Sequence, residues 1–151
     1  MTDTSETKTD ITALSAADAE EIIAVWEKSV RATHLFLTPG EIEFYKPYVR
    51  KYAIPECRLF GIREQDGRLT AFMGLSADKI EMLFVTPEYF GRGYGGRLIA
   101  FAEQQLGIRK VDVNEENTKA LVFYQKMGFR IAGRSETDGN GKPHPILFLE
   151  K

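Results

Sequence analysis

The sequence predicts an α+β fold, a mixed β-sheet with helices on both faces and one parallel step near its centre. Three observations predict it. An apolar run of strand length, Ile80–Val85, meets Pro87, then the cluster Gly91-Arg92-Gly93-Tyr94-Gly95-Gly96, then a helical pattern over Arg97–Leu106. Before it, Arg58–Arg63 and Leu69–Leu75 read as strands, with Asp66-Gly67 as the hairpin turn between them. After it, Lys110–Val113, Asn117–Met127 and Phe129–Arg134 read as strand, helix and strand.

The remaining elements follow in order. Ile11–Leu14 is a short strand. Ser15 is placed as an N-cap with Asp18 three residues on, close to a capping box. Ile22, Ile23, Trp26 and Val30 recur at helical spacing, which predicts an amphipathic helix over residues 16–31. Thr38-Pro39 supplies an N-cap and a proline at the first helical position. Ile42, Tyr45, Val49 and Tyr52 mark a second helix that should end before Pro55. In 69–75, Leu69, Ala71, Met73 and Leu75 alternate with the other residues, which suits a sheet with unlike faces. Gly107 is a natural C-cap, and Gly128 closes the later helix. Asp138-Gly139-Asn140-Gly141 is a strong turn signal before a last strand at Ile146–Leu149.

Bulk properties narrow the function classes. A formal net charge of -2, a pI of about 5.8 and the lack of a long Lys/Arg run give no support for nucleic acid as a partner. The hydrophobic content of 43% and charged content of 28% are those of an ordinary globular protein. Cys57 is the lone cysteine, so no intrachain disulfide forms, and no motif around it marks a nucleophile. No apolar run approaches membrane-spanning length, so no membrane partner is expected. Met1–Asp10 is polar and unlike a signal peptide, so a cytoplasmic protein is the default. A loose tail over residues 1–9 and a single domain over 10–151 are expected.

The glycine cluster carries the first chemistry. A strand, a tight turn and a helix start present free N–H groups and the positive end of a helix dipole, which together bind phosphate or pyrophosphate. Gly91-x-Gly93-x-x-Gly96 formally matches the dinucleotide fingerprint, with Asp112 further on. Pro87–Phe90 intervene, however, a hairpin precedes the motif, and 55 residues after Gly96 are too few for the rest of a doubly wound sheet. A phosphate-binding loop of the Gly-Lys-Ser/Thr kind is absent.

One strand further on stands Asn117-x-x-Ala120-x-x-x-Tyr124-x-x-x-Gly128-Phe129. With Val85-Thr86-Pro87 and the loop Phe90-Gly91-Arg92-Gly93-Tyr94-Gly95, this resembles the GCN5-related N-acetyltransferases, the GNAT superfamily. Phe90 departs from the Arg or Gln usual at that position. The likeness spans roughly residues 10–150. Within the family it is to small bacterial YjaB-type proteins, through Arg31-Ala-Thr-His34-x-Phe36-Leu37, Asn114-Glu-x-Asn117 and Gly133-Arg-Ser-Glu136.

The resemblance implies the acyl-CoA N-acyltransferase fold, a splayed mixed sheet flanked by helices. It also implies acetyl-CoA as co-substrate, an amine acceptor, and no metal. Gly91, Arg92, Gly93, Tyr94, Gly95 and Gly96 would then cradle the pyrophosphate, with Arg97 adding charge. Leu83, Phe84 and Val85 would offer a strand edge to the pantetheine, and Asn117 would hydrogen-bond it. Tyr124 matches the position that protonates the leaving thiolate. For the general base three residues stand open: Glu81 on the third strand, Asp112 before the tyrosine helix, and His34 between the first two helices. The acceptor, a protein lysine, a peptide N-terminus or a small amine, is left open, as is pairing into a homodimer. A non-catalytic acyl-CoA-binding module on the same fold is the alternative, against which an intact Tyr124 argues.

Overall fold

The computed structural model describes residues 11–151, so the tail expected over 1–9 lies outside the described residues. The strands are β1 (Ile11–Leu14), β2 (Arg58–Arg63), β3 (Leu69–Leu75), β4 (Ile80–Val85), β5 (Lys110–Asn114), β6 (Arg130–Ser135) and β7 (Ile146–Glu150). The helices are α1 (Ala19–Thr33), α2 (Pro39–Tyr48), the short α3 (Ile54–Glu56), α4 (Tyr94–Leu106) and α5 (Thr118–Lys126). One seven-stranded sheet has the order β1-β2-β3-β4-β5-β7-β6. Its pairs are antiparallel except β4 with β5, the parallel step, which is held by the single register pair Ile80↔Val111.

Ser15 and Asp18 form the full capping box, but over a 3-10 turn, Ala16–Asp18, that leads into α1. Thr38 caps α2 in the same reciprocal way with Glu41. Thr38→Ala should cost about 1 kcal/mol, measured as the shift in a urea unfolding curve. An unchanged curve would mean that the cap contributes nothing.

The second helical stretch does not stop before Pro55. Val49–Ala53 widens into a π-helix in which the Ile54 N–H reaches the Val49 carbonyl, five residues back, and α3 carries the chain through Pro55. The wider turn gives the proline ring room beside a carbonyl that an α-helix would drive into it.

Exposure does not alternate along β3, because all seven of its residues are buried. This strand lies near the middle of the sheet with a helical layer on each face. On one side α1 and α2 lay Ile22, Val25, Trp26 and Ile42 against Leu59, Phe72 and Met82. On the other, α4 sets Leu98, Ile99 and Ala102 against Ala71, Met73, Leu75 and Ile80. Alternation reports a half-exposed strand, and β3 has no exposed half.

Candidate active site

The sheet opens at its parallel step. β4 and β5 meet at Ile80 and Val111 and share no further register pair, so the C-terminal half of β4 has a strand on one side only. The ladder fixes which backbone groups face the gap. The Thr86 N–H donates to the Thr70 carbonyl, continuing the register Ala71↔Val85, Phe72↔Phe84, Met73↔Leu83. Hydrogen-bonded and non-bonded pairs alternate along an antiparallel ladder. Phe84 therefore spends its backbone groups on β3, and the N–H and C=O groups of Leu83 and Val85 point into the gap. The edge expected from Leu83, Phe84 and Val85 thus comes from two of the three; Phe84 turns its ring toward His34 instead, at 6.2 Å between centroids.

A cavity of about 820 Å³ fills the gap. Leu83, Phe84 and Val85 line it, with Gly91, Gly93, Tyr94, Gly95 and Gly96 at one end and His34, Asn117 and Tyr124 on its walls. Glu81, Asp112 and Arg92 are not among its lining residues.

The glycine end is built as a helix start, not as a loop ahead of one. A short 3-10 turn, Pro87–Tyr89, follows β4, and α4 begins at Tyr94, three residues before the expected Arg97. Gly93 is its N-cap at φ 82°, and Gly91 stands at φ 77°. The first intrahelical bond runs from the Arg97 N–H to the Gly93 carbonyl, so the N–H groups of Tyr94, Gly95 and Gly96 have no acceptor within the helix. A Cβ at Gly91 or Gly93 would meet no protein atom within 4 Å, whereas one at Gly95 would crowd Phe123 at 3.2 Å. Gly95 is thus the point where α4 and α5 close together. The Tyr94 side chain turns inward, donating to Glu64 at 2.8 Å, and burial pushes its phenol up to about 12. The Arg92 guanidinium lies 4.6 Å from the Tyr89 ring centroid and that of Arg97 lies 5.7 Å from the Tyr94 centroid.

Across the cavity, Asn117 is both N-cap and wall. Its Oδ1 accepts from the Ala120 N–H at 3.2 Å, and its amide hydrogens have no partner among the described residues. Tyr124 is 6% exposed. Its ring is held edge-on by Phe123 and Phe129. Its hydroxyl has no hydrogen-bond partner among the described residues, and burial raises its pKa above the ordinary phenol value.

His34 ends α1. The Thr33 hydroxyl has one proton and donates it to the Ser29 carbonyl at 2.8 Å, so toward His34 Nδ1, 2.9 Å away, it can only accept. This network assigns the ring proton to Nδ1 and leaves Nε2 an acceptor. Burial lowers the His34 pKa to about 4, so the ring is neutral near pH 7.

The two carboxylates are engaged elsewhere. A register irregularity between Gly74 and Leu75 makes Glu81 the extra residue of β4, and it accepts from the Ser76 hydroxyl at 2.8 Å. Asp112 accepts from Lys79 at 3.0 Å, and burial nevertheless raises its pKa.

Sequence reasoning passed over Ser29, Thr33 and Phe36 as wall residues, although Thr33 and Phe36 stand in the segment 31–37. It also passed over Glu116, the variable position of Asn114-Glu-x-Asn117. Among the described residues, no cluster of three His, Cys, Asp or Glu could hold a metal ion, and no helix is long and apolar enough to cross a membrane.

A sheet split at one parallel step, with a glycine-opened helix start beside the split, is the architecture that the GNAT resemblance implies. Comparison with known proteins makes the class specific. The model of the acetyltransferase (GNAT) domain matches residues 55–131. A peptidyl-lysine N-acetyltransferase, YjaB of Salmonella typhimurium, is 38% identical over 133 residues, covering 87% of this chain and 90% of that protein. The solution structure of apo YjaB from Escherichia coli superposes with a TM-score of 0.86 at 35% identity, over 94% of this chain and 96% of that one. PaiA N-acetyltransferase from Thermoplasma acidophilum, solved with coenzyme A, shares the fold at 22% identity and a TM-score of 0.73, over 95% and 99% of the two chains. The chain belongs to the GNAT acetyltransferase family and is an acetyltransferase.

Proposed function

We propose that residues 10–151 act as one catalytic domain that moves an acetyl group from acetyl-CoA directly to the side-chain amine of a peptide lysine. The observation that carries this reading is the buried Tyr124 hydroxyl, without a protein partner among the described residues, on the cavity that the β4 edge and the α4 start also line. The YjaB relatives, named as peptidyl-lysine acetyltransferases, support lysine as the acceptor.

The residues fit the co-substrate. Free N–H groups at Tyr94, Gly95 and Gly96, with open space at Gly91 and Gly93, suit a pyrophosphate. Leu83 and Val85 offer the amides of a pantetheine a strand edge, and one of their N–H groups polarises the thioester carbonyl. Asn117 donates its free amide hydrogens to the same chain.

For the transfer, the His34 Nε2 accepts a hydrogen bond from the attacking amine and orients its lone pair. With a pKa of about 4 it is a weak base, so the proton goes on to water. Tyr124 donates to the sulfur as the C–S bond breaks. Overall, an ammonium and a thioester become an amide, a thiol and one released proton. Glu81 and Asp112 stand off the cavity lining and are given no step.

Coenzyme A at about 100 times its dissociation constant should add roughly 2.7 kcal/mol of stability, seen as a rise in melting temperature. Release of free thiol from acetyl-CoA with a lysine peptide separates this reading from a binding module on the same fold. A thermal shift without thiol release would favour the module.

A further inference from the structure

The second of the two histidines, His144, lies outside the machinery above, in the connection between the Asp138–Gly141 turn and β7. It is 7% exposed. Its Nε2 lies 2.7 Å from the Glu41 carboxylate and its Nδ1 2.8 Å from that of Glu116. An ionised carboxylate only accepts hydrogen bonds, and a neutral imidazole has one N–H to give. Both contacts are therefore satisfied together only by the imidazolium.

Of the two carboxylates only Glu116 lines the cavity; Glu41 is bonded to the end of segment 34–38, whose His34, Leu35 and Phe36 line it. Glu41 is the third residue of α2 and closes the capping box with the Thr38 N–H, so it anchors the end of the segment 34–38. Glu116 lines the cavity and immediately precedes Asn117, the N-cap of α5. A row of rings runs from this point into the site: His144 to Phe36 at 5.8 Å, Phe36 to His34 at 5.2 Å, and His34 to Phe84 at 6.2 Å.

We propose that protonated His144 is a positioning residue, a strap between Glu41 and Glu116 that holds segment 34–38 against the start of α5 and so keeps the acceptor side of the cavity formed. Its bearing on the acceptor rests on the lysine reading above. Burial opposes the charge on His144, the two carboxylates outweigh that, and its pKa lies above the ordinary histidine value. The hydrogen bond from His144 is in turn the largest cause that lowers the Glu41 pKa. Of the other charges nearby, Lys142 and Asp138 sit on the same connection, where Lys142 accepts the His144 N–H through its carbonyl and Asp138 is tied to Tyr45 of α2. Glu115 is taken up by Arg134 of β6. Because the folded-state pKa is the raised one, the strap is complete at low pH and is lost as pH rises through that value.

Two measurements on the full chain loaded with coenzyme A test this. NMR titration of His144 is run beside amide exchange at His34 and Leu37, whose N–H groups bond Val30 and His34, corrected for the intrinsic rate. The affinity of a lysine peptide is measured from pH 6 to 9, where no acetyl group is present and lysine stays an ammonium. His144 should titrate above pH 6.5, and protection of segment 34–38 should fall with it. Peptide affinity should fall by about tenfold over the same range, as one charge-assisted hydrogen bond weakens. Glu116→Gln should move both midpoints to lower pH, and His144→Gln should remove the pH dependence while coenzyme A still binds. A His144 that titrates at or below 6.5, or protection that ignores its titration in the wild type and in Glu116→Gln, overturns the strap. A protein that binds no lysine peptide at any pH sinks the lysine reading instead, and the exchange data still decide the strap.

Discussion

Tyr124→Phe is expected to lower turnover by about 10²–10⁴, the range of a lost general acid, and to leave acetyl-CoA affinity nearly unchanged. The substitution keeps the ring between Phe123 and Phe129, so packing survives, and removes a hydroxyl that no described residue uses. A phenol near pKa 10 is a weaker acid than a thiol near 8.5, so complete proton transfer to the sulfur is uphill by about 2 kcal/mol. Burial raises the phenol further. Tyr124 therefore acts mainly by donating a hydrogen bond as charge builds on the sulfur, and water restores any proton that it gives up. The loss belongs to the chemical step, so single-turnover and steady-state rates should fall together. Turnover near the wild-type value, or loss of binding and rate in proportion, would reduce Tyr124 to a packing residue.

Gly93→Val is expected to abolish the thermal shift given by coenzyme A while the chain still folds. Gly93 stands at φ 82°, where a β-branched residue costs roughly 1–2 kcal/mol. Its Cβ would meet open space, not protein, so nothing forces the fold apart. The new side chain instead enters the space in front of the free N–H groups, and relaxing the strain would turn those groups aside. Gly107→Val is the matched control: it has the same left-handed backbone, at φ 69°, and the same open surroundings, at the other end of α4. The control should lose stability and keep the coenzyme A shift. If Gly93→Val keeps it too, the phosphates bind elsewhere.

Much of this site was legible because its signals are local. A glycine cluster after a strand can be read without knowing what surrounds it, and so can Asn117 and Tyr124 at their helical spacing. What escaped depends on contacts distant in sequence. That Phe84 spends its backbone on β3 while Leu83 and Val85 face the gap follows from a register with residues 71–73, which no pattern within β4 reveals. Glu81 reads as an ordinary strand residue until the irregularity opposite Gly74 and Leu75 turns it away. β3 reads as a strand of a sheet with unlike faces until both helical layers are in place and bury all of it. His144 follows a turn in a stretch without periodicity, and its partner Glu41 is 103 residues away.

The strand order has a consequence for how the molecule is made. β7 is the last strand in the chain, yet it lies inside the sheet, between β5 and β6. As the chain leaves the ribosome, β1 to β4 find their partners in sequence and can zip up with α1 and α2 behind them. β5 and β6 have their ladders only with β7, apart from the single pair at Ile80 and Val111. Their edges cannot pair with β7 until residues 146–150 emerge. The seam between these early and late halves is the split in the sheet. A molecule bound there touches both halves, and so adds ligand contacts along the stretch where the strands of the sheet themselves share a single register pair.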